Sequence, residues 1–276
     1  MVMTRTVSFI TFNIRNGRAL DGANSWPFRR RWVPGYVRSL DADVIGLQEA
    51  YHNQVLAFDR ALPEYVRIGV GRDNGRARGE FCPLYVRSSR LRVMDHGTFW
   101  FSDTPEVPGS RTWGNTLPRI ATRAVLAEPD RPDQALLTVC NVHLDHASAH
   151  ARLMSARMLL DRVAVWRRTA PVIVMGDFNA GEDDPVMRLL LTGDGCLRDT
   201  LRVLHPDAAE VATFHAWEGG TRGARIDYIL ATSGVTVLEA GIRHDTVAGR
   251  LPSDHWPVTA LIETGPGNDV PVEARS

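Results

Sequence analysis

Short runs of β-branched and aromatic residues recur from one end of the chain to the other and predict a protein built mainly of strands. Several runs are apolar at consecutive positions, which is typical of strands that are covered on both faces. The runs cover residues 7–13, 44–48, 65–70, 81–86, 120–126, 136–144, 172–175, 226–231, 235–240 and 258–262. The pattern therefore predicts sheets that lie between other layers of structure.

Helical periodicity is clearest over residues 148–168, where apolar side chains recur at spacings of three and four. These apolar positions are Leu153, Ala156, Leu160 and Val163. Ser148 is the predicted N-cap of this helix. A weaker helical pattern over residues 27–40 is interrupted by a Pro-Gly pair, and a short helix is predicted to begin at Pro185.

Stretches rich in glycine and proline at 71–79 and 105–114 lie between predicted strands, and no shift in composition divides the chain. They are expected to be loops within one domain that spans residues 1–264. The remaining residues 265–276 contain few large apolar side chains and are predicted to form a disordered tail. The predicted architecture is an α/β fold in which two packed sheets are flanked by helices.

The charges of the chain balance, because 32 Lys+Arg positions, all of them arginine, stand against 32 Asp+Glu positions. A net charge of zero provides no overall positive field that would hold a long nucleic acid by electrostatics alone. Any contact with nucleic acid is therefore expected to be local. Arginine is well suited to bidentate contacts with phosphate.

The cysteines Cys82, Cys140 and Cys196 are widely spaced and match neither a paired metal motif nor a disulfide framework. Free thiols of this kind are typical of a reducing compartment. The first residues run directly into a predicted strand without an apolar secretory segment, and no apolar run reaches membrane-spanning length. We therefore expect a soluble, cytoplasmic protein with no membrane partner and no obligate protein partner.

Polar residues of the types that bind metals and move protons stand at or near the ends of the apolar runs. They are Asn13, Glu49, His143, Asp177, Asn179, Asp227, Asp254 and His255. Taken singly, most have an ordinary explanation as a turn residue, a helix cap or an acid in the first turn of a helix. Asp227 differs, because it lies within an apolar strand and a buried carboxylate needs a partner such as histidine. If the strand ends converge, these side chains share one rim.

Six segments, in their order along the chain, resemble the endonuclease/exonuclease/phosphatase superfamily of deoxyribonuclease- and exonuclease III-like metallophosphoesterases. The segments are Thr11-Phe12-Asn13-Ile14-Arg15, Leu47-Gln48-Glu49, Asn141-Val142-His143-Leu144, Gly176-Asp177-Phe178-Asn179, Arg225-Ile226-Asp227-Tyr228 and Ser253-Asp254-His255. Residues 79–85, 97–100 and 118–119 look most similar to a bacterial branch near the deadenylase-like and sphingomyelinase-like members. The resemblance implies a four-layer α/β sandwich of two packed mixed β-sheets flanked by helices. It also implies a hydrolase of phosphodiester or phosphomonoester bonds that depends on Mg²⁺ or Mn²⁺.

The resemblance further implies a role for each polar residue. Glu49 would hold the metal, and Asn13 and Asp254 would complete or orient the shell of ligands around it. Asp177 would orient and deprotonate the attacking water, while Asn179 would hold that water or a phosphate oxygen.

The two histidines would act on the phosphoryl group itself. His255, with its tautomer fixed by Asp227, would donate to the phosphoryl oxygen on which charge develops. His143 would donate to the leaving group or make a second phosphate contact. Further phosphate contacts are expected from Arg72, Arg119 and Arg225, and the pocket is expected to be shaped by Tyr51, Trp113 and His146.

Two other functions remain open from the sequence. The run Asn141-Val142-His143-Leu144-Asp145-His146 nearly matches the HxHxDH ligand run of metallo-β-lactamase-like zinc hydrolases. The first ligand position of this run holds an asparagine, however. A zinc-hydrolase interpretation also does not explain the motifs at 176–179 and 253–255. A non-catalytic protein that binds a phosphate ligand on the same fold is the second alternative, although every expected site position is filled. The run Gly69-Val70-Gly71 is too short to indicate a dinucleotide site.

The sequence leaves the substrate open among a small phosphorylated metabolite, a nucleotide and a short nucleic-acid end such as an RNA 3′ end. A balanced charge without a basic tract disfavours a processive nuclease of duplex DNA. The absence of an apolar membrane-binding hairpin disfavours a sphingomyelinase. We therefore expect a phosphorylated small molecule or a short nucleic acid as the partner.

Overall fold

The computed structural model describes residues 4–192 and 197–264. Within these residues, twelve strands form two six-stranded sheets. The strands are β1 (Arg5–Asn13), β2 (Val44–Gln48), β3 (Tyr65–Ile68), β4 (Leu84–Arg87), β5 (Arg92–Trp100), β6 (Ile120–Glu128), β7 (Arg131–His143), β8 (Val172–Asp177), β9 (Arg198–Asp199), β10 (Asp227–Ala231), β11 (Val235–Ile242) and β12 (Val258–Thr264). Cys82 and Cys140 are buried free thiols, whereas Cys196 and the predicted tail at 265–276 lie outside the described residues.

Six α-helices occur in the same described part of the chain, and a 3-10 turn at Gly22–Asn24 precedes the first of them. They are α1 (Trp26–Arg29), α2 (Val33–Ser39), α3 (His52–Ala61), α4 (Ala149–Trp166), α5 (Pro185–Thr192) and α6 (Thr200–Leu204). Ser148 caps α4 as predicted, because its hydroxyl oxygen accepts a hydrogen bond from Ala151 N at 3.1 Å. The prediction that α5 begins at Pro185 is also confirmed.

The helical segment at 27–40 is broken earlier than its sequence indicates. α1 ends at Arg29 and α2 begins at Val33, so Pro34 and Gly35 lie in the first turn of α2. A proline in the first turn loses no hydrogen bond, and its fixed φ suits a helix. The predicted interruption at these two residues was therefore wrong.

Both sheets are mixed, as the resemblance implied. The first sheet has the strand order β11-β12-β1-β2-β4-β3, and the second has the order β5-β6-β7-β8-β10-β9. One central pair in each sheet is parallel, β1 with β2 and β7 with β8. The other neighbouring strands pair antiparallel.

Alternate residues of the central strands face two different cores. In β1, Val7 and Phe9 pack between the two sheets, whereas Ile10 and Phe12 pack against α1, α2 and α3. The central strands of the second sheet divide their side chains in the same way between the inter-sheet core and the core beneath α4 and α5. The result is a four-layer α/β sandwich, which confirms the predicted fold class.

Some elements were missed or misplaced from the sequence. β5 was not predicted, because it forms an edge of its sheet and carries exposed polar residues such as Asp95 and His96. α3, α6 and the two-residue β9 were also missed, and β4 begins three residues later than predicted. No helix within residues 4–192 and 197–264 is long and apolar enough to cross a membrane.

Replacing Gly176 with alanine is expected to destabilise the protein by about 3 kcal/mol or more. The reason is steric, because Gly176 has a φ of +146° and a Cβ there would lie 2.0 Å from the backbone oxygen of Val142. Gly35→Ala is the matched control, since a Cβ at Gly35 in α2 meets nothing within 4 Å. Gly35→Ala should stabilise the protein by up to about 1 kcal/mol. Urea denaturation measures both, and a Gly176→Ala protein as stable as the wild type would contradict the packing described here.

Candidate active site

At one end of the molecule, the layer between the sheets changes from apolar to polar. In β7, Val139 belongs to the inter-sheet core, and the next residues on the same face are Asn141 and His143. In β8, the same face continues from Met175 to Asp177. Strand alternation therefore places predicted site residues from different strands in one space between the sheets.

Asn141 forms the floor of this polar space by crossing from one sheet to the other. Its Nδ2 donates to the backbone oxygens of Leu47 and Pro83, both at 2.9 Å, and its Oδ1 accepts from Gln48 Nε2 at 2.7 Å. Gly46 makes room for the crossing, because a Cβ there would lie 2.9 Å from Asn141 Cγ. Both N–H donors of Asn141 are used within the protein, so this residue ties the sheets together.

Asn13 links the two predicted catalytic carboxylates. Its Oδ1 accepts a hydrogen bond from Arg15 N at 3.0 Å, and a backbone N–H can only donate, so the amide oxygen must face it. Its Nδ2 then donates to Glu49 Oε1 at 3.0 Å and to Asp177 Oδ2 at 2.9 Å. Asn13 therefore presents its nitrogen to the two carboxylates, an arrangement that orients a metal shell rather than completes it.

Glu49 follows β2 in the left-handed conformation, with a φ of +63°, and remains partly exposed. Its Oε2 accepts from Asn16 N at 2.7 Å and from Asn16 Nδ2 at 3.3 Å. Burial disfavours the charged form, but the hydrogen bond from Asn13, the nearby His255 and the N–H of Asn16 outweigh it and lower the pKa of Glu49. Glu49 is therefore an anion at neutral pH.

Asp177 lies deeper than Glu49 and has the opposite pKa shift. Burial, followed by the negative charge of Asp227, raises the pKa of Asp177 to about 7. Its Oδ1 accepts from Asn179 N at 2.9 Å, and Asn179 in turn donates through Nδ2 to Leu144 O at 3.0 Å. A buried carboxyl that titrates near neutral pH is well suited to accept a proton from water.

The partner expected for a buried Asp227 is present. His255 Nδ1 lies 2.8 Å from Asp227 Oδ2, and Thr213 Oγ1 accepts from the backbone N of Asp227 at 3.0 Å. Burial disfavours the imidazolium, but Asp227 and then Asp177 outweigh it and raise the pKa of His255 to about 10. With Nδ1 held by Asp227, Nε2 of a positively charged His255 is the nitrogen left to donate.

Asp254 contacts side chains other than Asn13. Its Oδ1 lies 3.1 Å from Ser253 Oγ, and its Oδ2 lies 3.3 Å from Arg15 Nη1. Ser253 Oγ donates its one proton to Asn13 O at 2.7 Å. Burial raises the pKa of Asp254, and the charge of Glu49 adds to this effect. Asp254 is thus connected to the site through the backbone of Asn13 and through Arg15.

His143, Asp145 and His146 converge on the guanidinium of Arg119. Arg119 Nε donates to Asp145 Oδ2 at 3.2 Å, Nη1 lies 3.1 Å from His143 Nε2, and Nη2 lies 2.6 Å from His146 Nδ1. Burial and the charge of Arg119 place the pKa of His143 well below its usual value. An organic cation thus occupies the position that zinc would take in an HxHxDH site, and this contradicts the zinc-hydrolase alternative.

The other two predicted phosphate-binding arginines lie in different environments. Arg72 is buried beside the site, where Nη1 lies 2.6 Å from Glu80 Oε2, and the same carboxylate oxygen lies 3.9 Å from His143 Nδ1. Arg225 instead lies 2.6 Å from Glu182 and 2.7 Å from Asp199, and it has no contact with the predicted catalytic residues. The geometry therefore brings Arg72 and Arg119 to the site and favours a structural role for Arg225.

Two of the predicted pocket-shaping residues pack against residues outside the predicted site. Tyr51 lies beneath the guanidinium of Arg18 at 4.2 Å from its ring centroid. Trp113 is buried in the core beneath α4, and its Nε1 donates to Asp103 Oδ1 at 2.8 Å. The sequence did not predict the contacts of Arg15, Glu80 and Thr213. Arg15 and Glu80 lie within motif segments quoted above, which is the one signal that could have identified them, whereas Thr213 lies in no such segment.

Two groups of ligand-type side chains in the described residues are compact enough to suit a metal ion. Glu49, His143 and Asp177 form one group, and Asp177, Asp227 and His255 form the other, with the atoms of each group within 4.8 Å of one another. The second group contains a hydrogen-bonded His–Asp pair, and His143 of the first group contacts the Arg119 cation, so an ion fits best at the carboxylates of Glu49 and Asp177. Two carboxylates next to an amide fit a hard oxygen-seeking cation such as Mg²⁺ or Mn²⁺.

Comparisons with known proteins identify the family of the chain and proteins of similar structure. Residues 10–255 match the sequence model of the family described as Endonuclease/Exonuclease/phosphatase family, whereas no curated protein matches the chain. An endonuclease/exonuclease/phosphatase from Bacteroides vulgatus is similar at 32% identity and a TM-score of 0.85, over 94% of this chain and 99% of that one. A mannosyl-6-phosphatase from Bacteroides thetaiotaomicron is similar at 29% identity and a TM-score of 0.83, over 93% and 99%. D. rerio TDP2 in complex with a single-stranded DNA product shares the fold at 21% identity and a TM-score of 0.71, over 94% and 99%.

Asp227→Asn is expected to lower the pKa of His255 from about 10 by several units. The negative charge of Asp227 favours the imidazolium and raises the pKa of His255, whereas burial lowers that pKa. A neutral amide removes most of the effect that opposes burial. Titration of the imidazole resonance by NMR on metal-free protein measures the shift. Asp95→Asn is the control, because Asp95 lies in β5, four strands away from Asp227 in β10. This substitution should leave the pKa of His255 unchanged. A His255 pKa that stays near 10 in Asp227→Asn would contradict the pairing.

Proposed function

This chain belongs to the Endonuclease/Exonuclease/phosphatase family, and we propose that it is a divalent-metal-dependent phosphoesterase acting on a small phosphorylated molecule or a short nucleic-acid end. Members of the family are hydrolases of phosphoester bonds. The observation that carries the proposal is the position of Asp177, which belongs to both compact groups of ligand-type atoms. A proton acceptor therefore lies between a candidate metal ligand and a charged proton donor.

The acidic side of the site would hold the metal. We assign the ion to Glu49, which is charged and partly exposed, with Asp177 beside it and Asn13 orienting both carboxylates. Asp254 would support this shell through Ser253 and Arg15. When bound, Mg²⁺ or Mn²⁺ would neutralise a phosphate oxygen and stabilise charge on the leaving oxygen.

The protein's own residues supply the remaining steps of an in-line displacement. Asp177, with a pKa of about 7, takes a proton from the attacking water, and Asn179 fixes the orientation of the Asp177 carboxylate. His255 is charged below pH 10 and donates through Nε2 to the phosphoryl oxygen on which negative charge develops. Asp227 keeps that imidazolium in place.

His143 fits a different role from the leaving-group donor expected from the sequence. Its pKa lies well below the usual value, so the imidazole is neutral and a poor acid at physiological pH. Its Nε2 faces a donor, Arg119 Nη1, at 3.1 Å. We therefore assign positive charge near the leaving group to Arg119 and Arg72, and assign His143 the role of holding Arg119.

The substrate that we favour is a small phosphomonoester. A net charge of zero gives no general affinity for long polyanions. The similar mannosyl-6-phosphatase, at 29% identity over 93% of this chain, makes hexose 6-phosphates the first compounds to test. The sequence identity to D. rerio TDP2 is 21%, and similarity at this level supports the fold alone.

A substrate panel with and without metal tests the proposal. It contains p-nitrophenyl phosphate, bis-p-nitrophenyl phosphate, hexose 6-phosphates, oligo(A) RNA and plasmid DNA, each with Mg²⁺, Mn²⁺ or EDTA. We expect hydrolysis that EDTA abolishes and that either ion restores. Asp177→Asn should lower kcat about 100- to 10,000-fold, because the proton acceptor is lost. Asp177→Asn combined with His255→Asn should lose little more activity than the worse single variant, because the groups act as a unit.

Metal binding provides a readout that does not depend on turnover. Glu49→Gln should weaken binding of Mn²⁺, measured by calorimetry, by about tenfold or more, because a charged oxygen ligand is lost. Glu64→Gln is a matched control, since Glu64 pairs with Arg38 on the surface. Silence across the panel together with Mn²⁺ binding unaffected by Glu49→Gln would contradict the proposed function and favour a non-catalytic protein.

A further inference from the structure

Arg119 can only donate hydrogen bonds, and this determines what its partners must do. A guanidinium carries five N–H donors, accepts no hydrogen bonds and does not lose its proton in proteins. His143 faces Nη1 with Nε2 at 3.1 Å and Nδ1 at 3.3 Å, and His146 faces Nη2 with Nδ1 at 2.6 Å. One nitrogen of each imidazole must therefore present a lone pair. Both imidazoles accept a hydrogen bond in this arrangement, and the Asp145 carboxylate is the third acceptor.

The three acceptors occupy three different corners of the guanidinium. Asp145 faces Nε, His143 faces Nη1 and His146 faces Nη2. Among residues 4–192 and 197–264 they use three of the five N–H bonds, which leaves one on each Nη nitrogen. Lysine cannot satisfy such a cradle, because its three donors radiate from one atom. The cradle thus fixes both the position and the rotation of the Arg119 fork.

The cradle is anchored to rigid structure on its inner side and open on its outer side. Arg119 and Asp145 are 4% and 1% exposed, and Asp145 Oδ1 also accepts from the backbone N of Ala147 and Ser148 at the start of α4. His146 is exposed to solvent. His143 Nε2, which faces Arg119, lies 3.6 Å from Asp177 Oδ2. The guanidinium is therefore one side chain away from the proposed proton acceptor.

A purely structural role explains this arrangement poorly. Burying a guanidinium against a single carboxylate adds little stability, because the cost of removing the charge from water offsets the attraction. Holding the fork by three separate acceptors, with two N–H bonds unused, instead suits bidentate recognition of a tetrahedral oxyanion.

We propose that His146 and Asp145 are positioning residues that hold Arg119 so that its two remaining N–H bonds bind a phosphate oxygen pair of the substrate. The inference rests on the proposed function, because it assigns the recognition of the phosphoryl group within that same site. It also gives the run from His143 to His146 a purpose, namely to orient an arginine.

Two substitutions of His146 separate this role from a structural one. His146→Leu removes the acceptor for Arg119 Nη2, whereas His146→Asn keeps an oxygen close to the position of Nδ1. Both residues suit an exposed site, so thermal unfolding should remain within about 2 °C of the wild type. His150→Leu, an exposed histidine in α4, is the matched control.

Calorimetric titration with inorganic phosphate in the presence of Mg²⁺ is the test. We expect His146→Leu to raise the dissociation constant of phosphate about tenfold, with His146→Asn and His150→Leu within about twofold of the wild type. With a hydrolysed substrate from the panel, His146→Leu should raise KM more than it lowers kcat. Equal phosphate affinity in His146→Leu and the wild type, or no phosphate binding by the wild type, would overturn the inference.

The binding measurement also separates this inference from the proposed function. Phosphate affinity that depends on His146 in a protein without hydrolytic activity would support the inference and count against the phosphoesterase. If the protein hydrolyses a substrate but His146→Leu changes neither the phosphate affinity nor KM, the result would support the phosphoesterase and overturn the inference.

Discussion

Two asparagines, Asn13 and Asn141, join the sheets by hydrogen bonds that cross the layer between them, and the site depends on this crossing. Asn13 on the first sheet donates to Asp177 on the second, and Asn141 on the second donates to the backbone of Leu47 and Pro83 on the first. Buried polar groups must be paired, so these bonds permit one alignment of the two sheets. That alignment brings the carboxylates together before any ligand is present.

The site works by shifting the pKa values of neighbouring groups in opposite directions. Glu49 is kept charged by donors, Asp177 is raised to about 7 by burial and by Asp227, and His255 is raised to about 10 mainly by Asp227. An anion for the metal, a base near neutrality and a side chain that is cationic at neutral pH thus lie within a few ångströms of one another. Such divergent shifts in one small space are characteristic of groups with different roles in a proton transfer.

Much of the fold and part of the site could be predicted from the sequence, because alternation along strands is a local property. Apolar runs located most strands, and the buried position of Asp227 required a partner that proved to be His255. The rest depends on contacts between distant segments. The zinc-like spacing from His143 to His146 is occupied by Arg119, which lies 24 residues before His143, and Arg225 is paired with acids that no motif marks. Spacing shows which residues can meet, but not which partner they meet.

A crystal structure with Mn²⁺ bound would test the central claim most directly, because anomalous scattering locates the ion independently of any assumed ligand. The account predicts a peak coordinated by the carboxylate of Glu49, on the side of Asp177, with Arg119 still held by His146 and Asp145. An ion coordinated by His143 and His146, with Arg119 displaced, would contradict it. The absence of an anomalous peak at Glu49 in crystals saturated with Mn²⁺ would also contradict it.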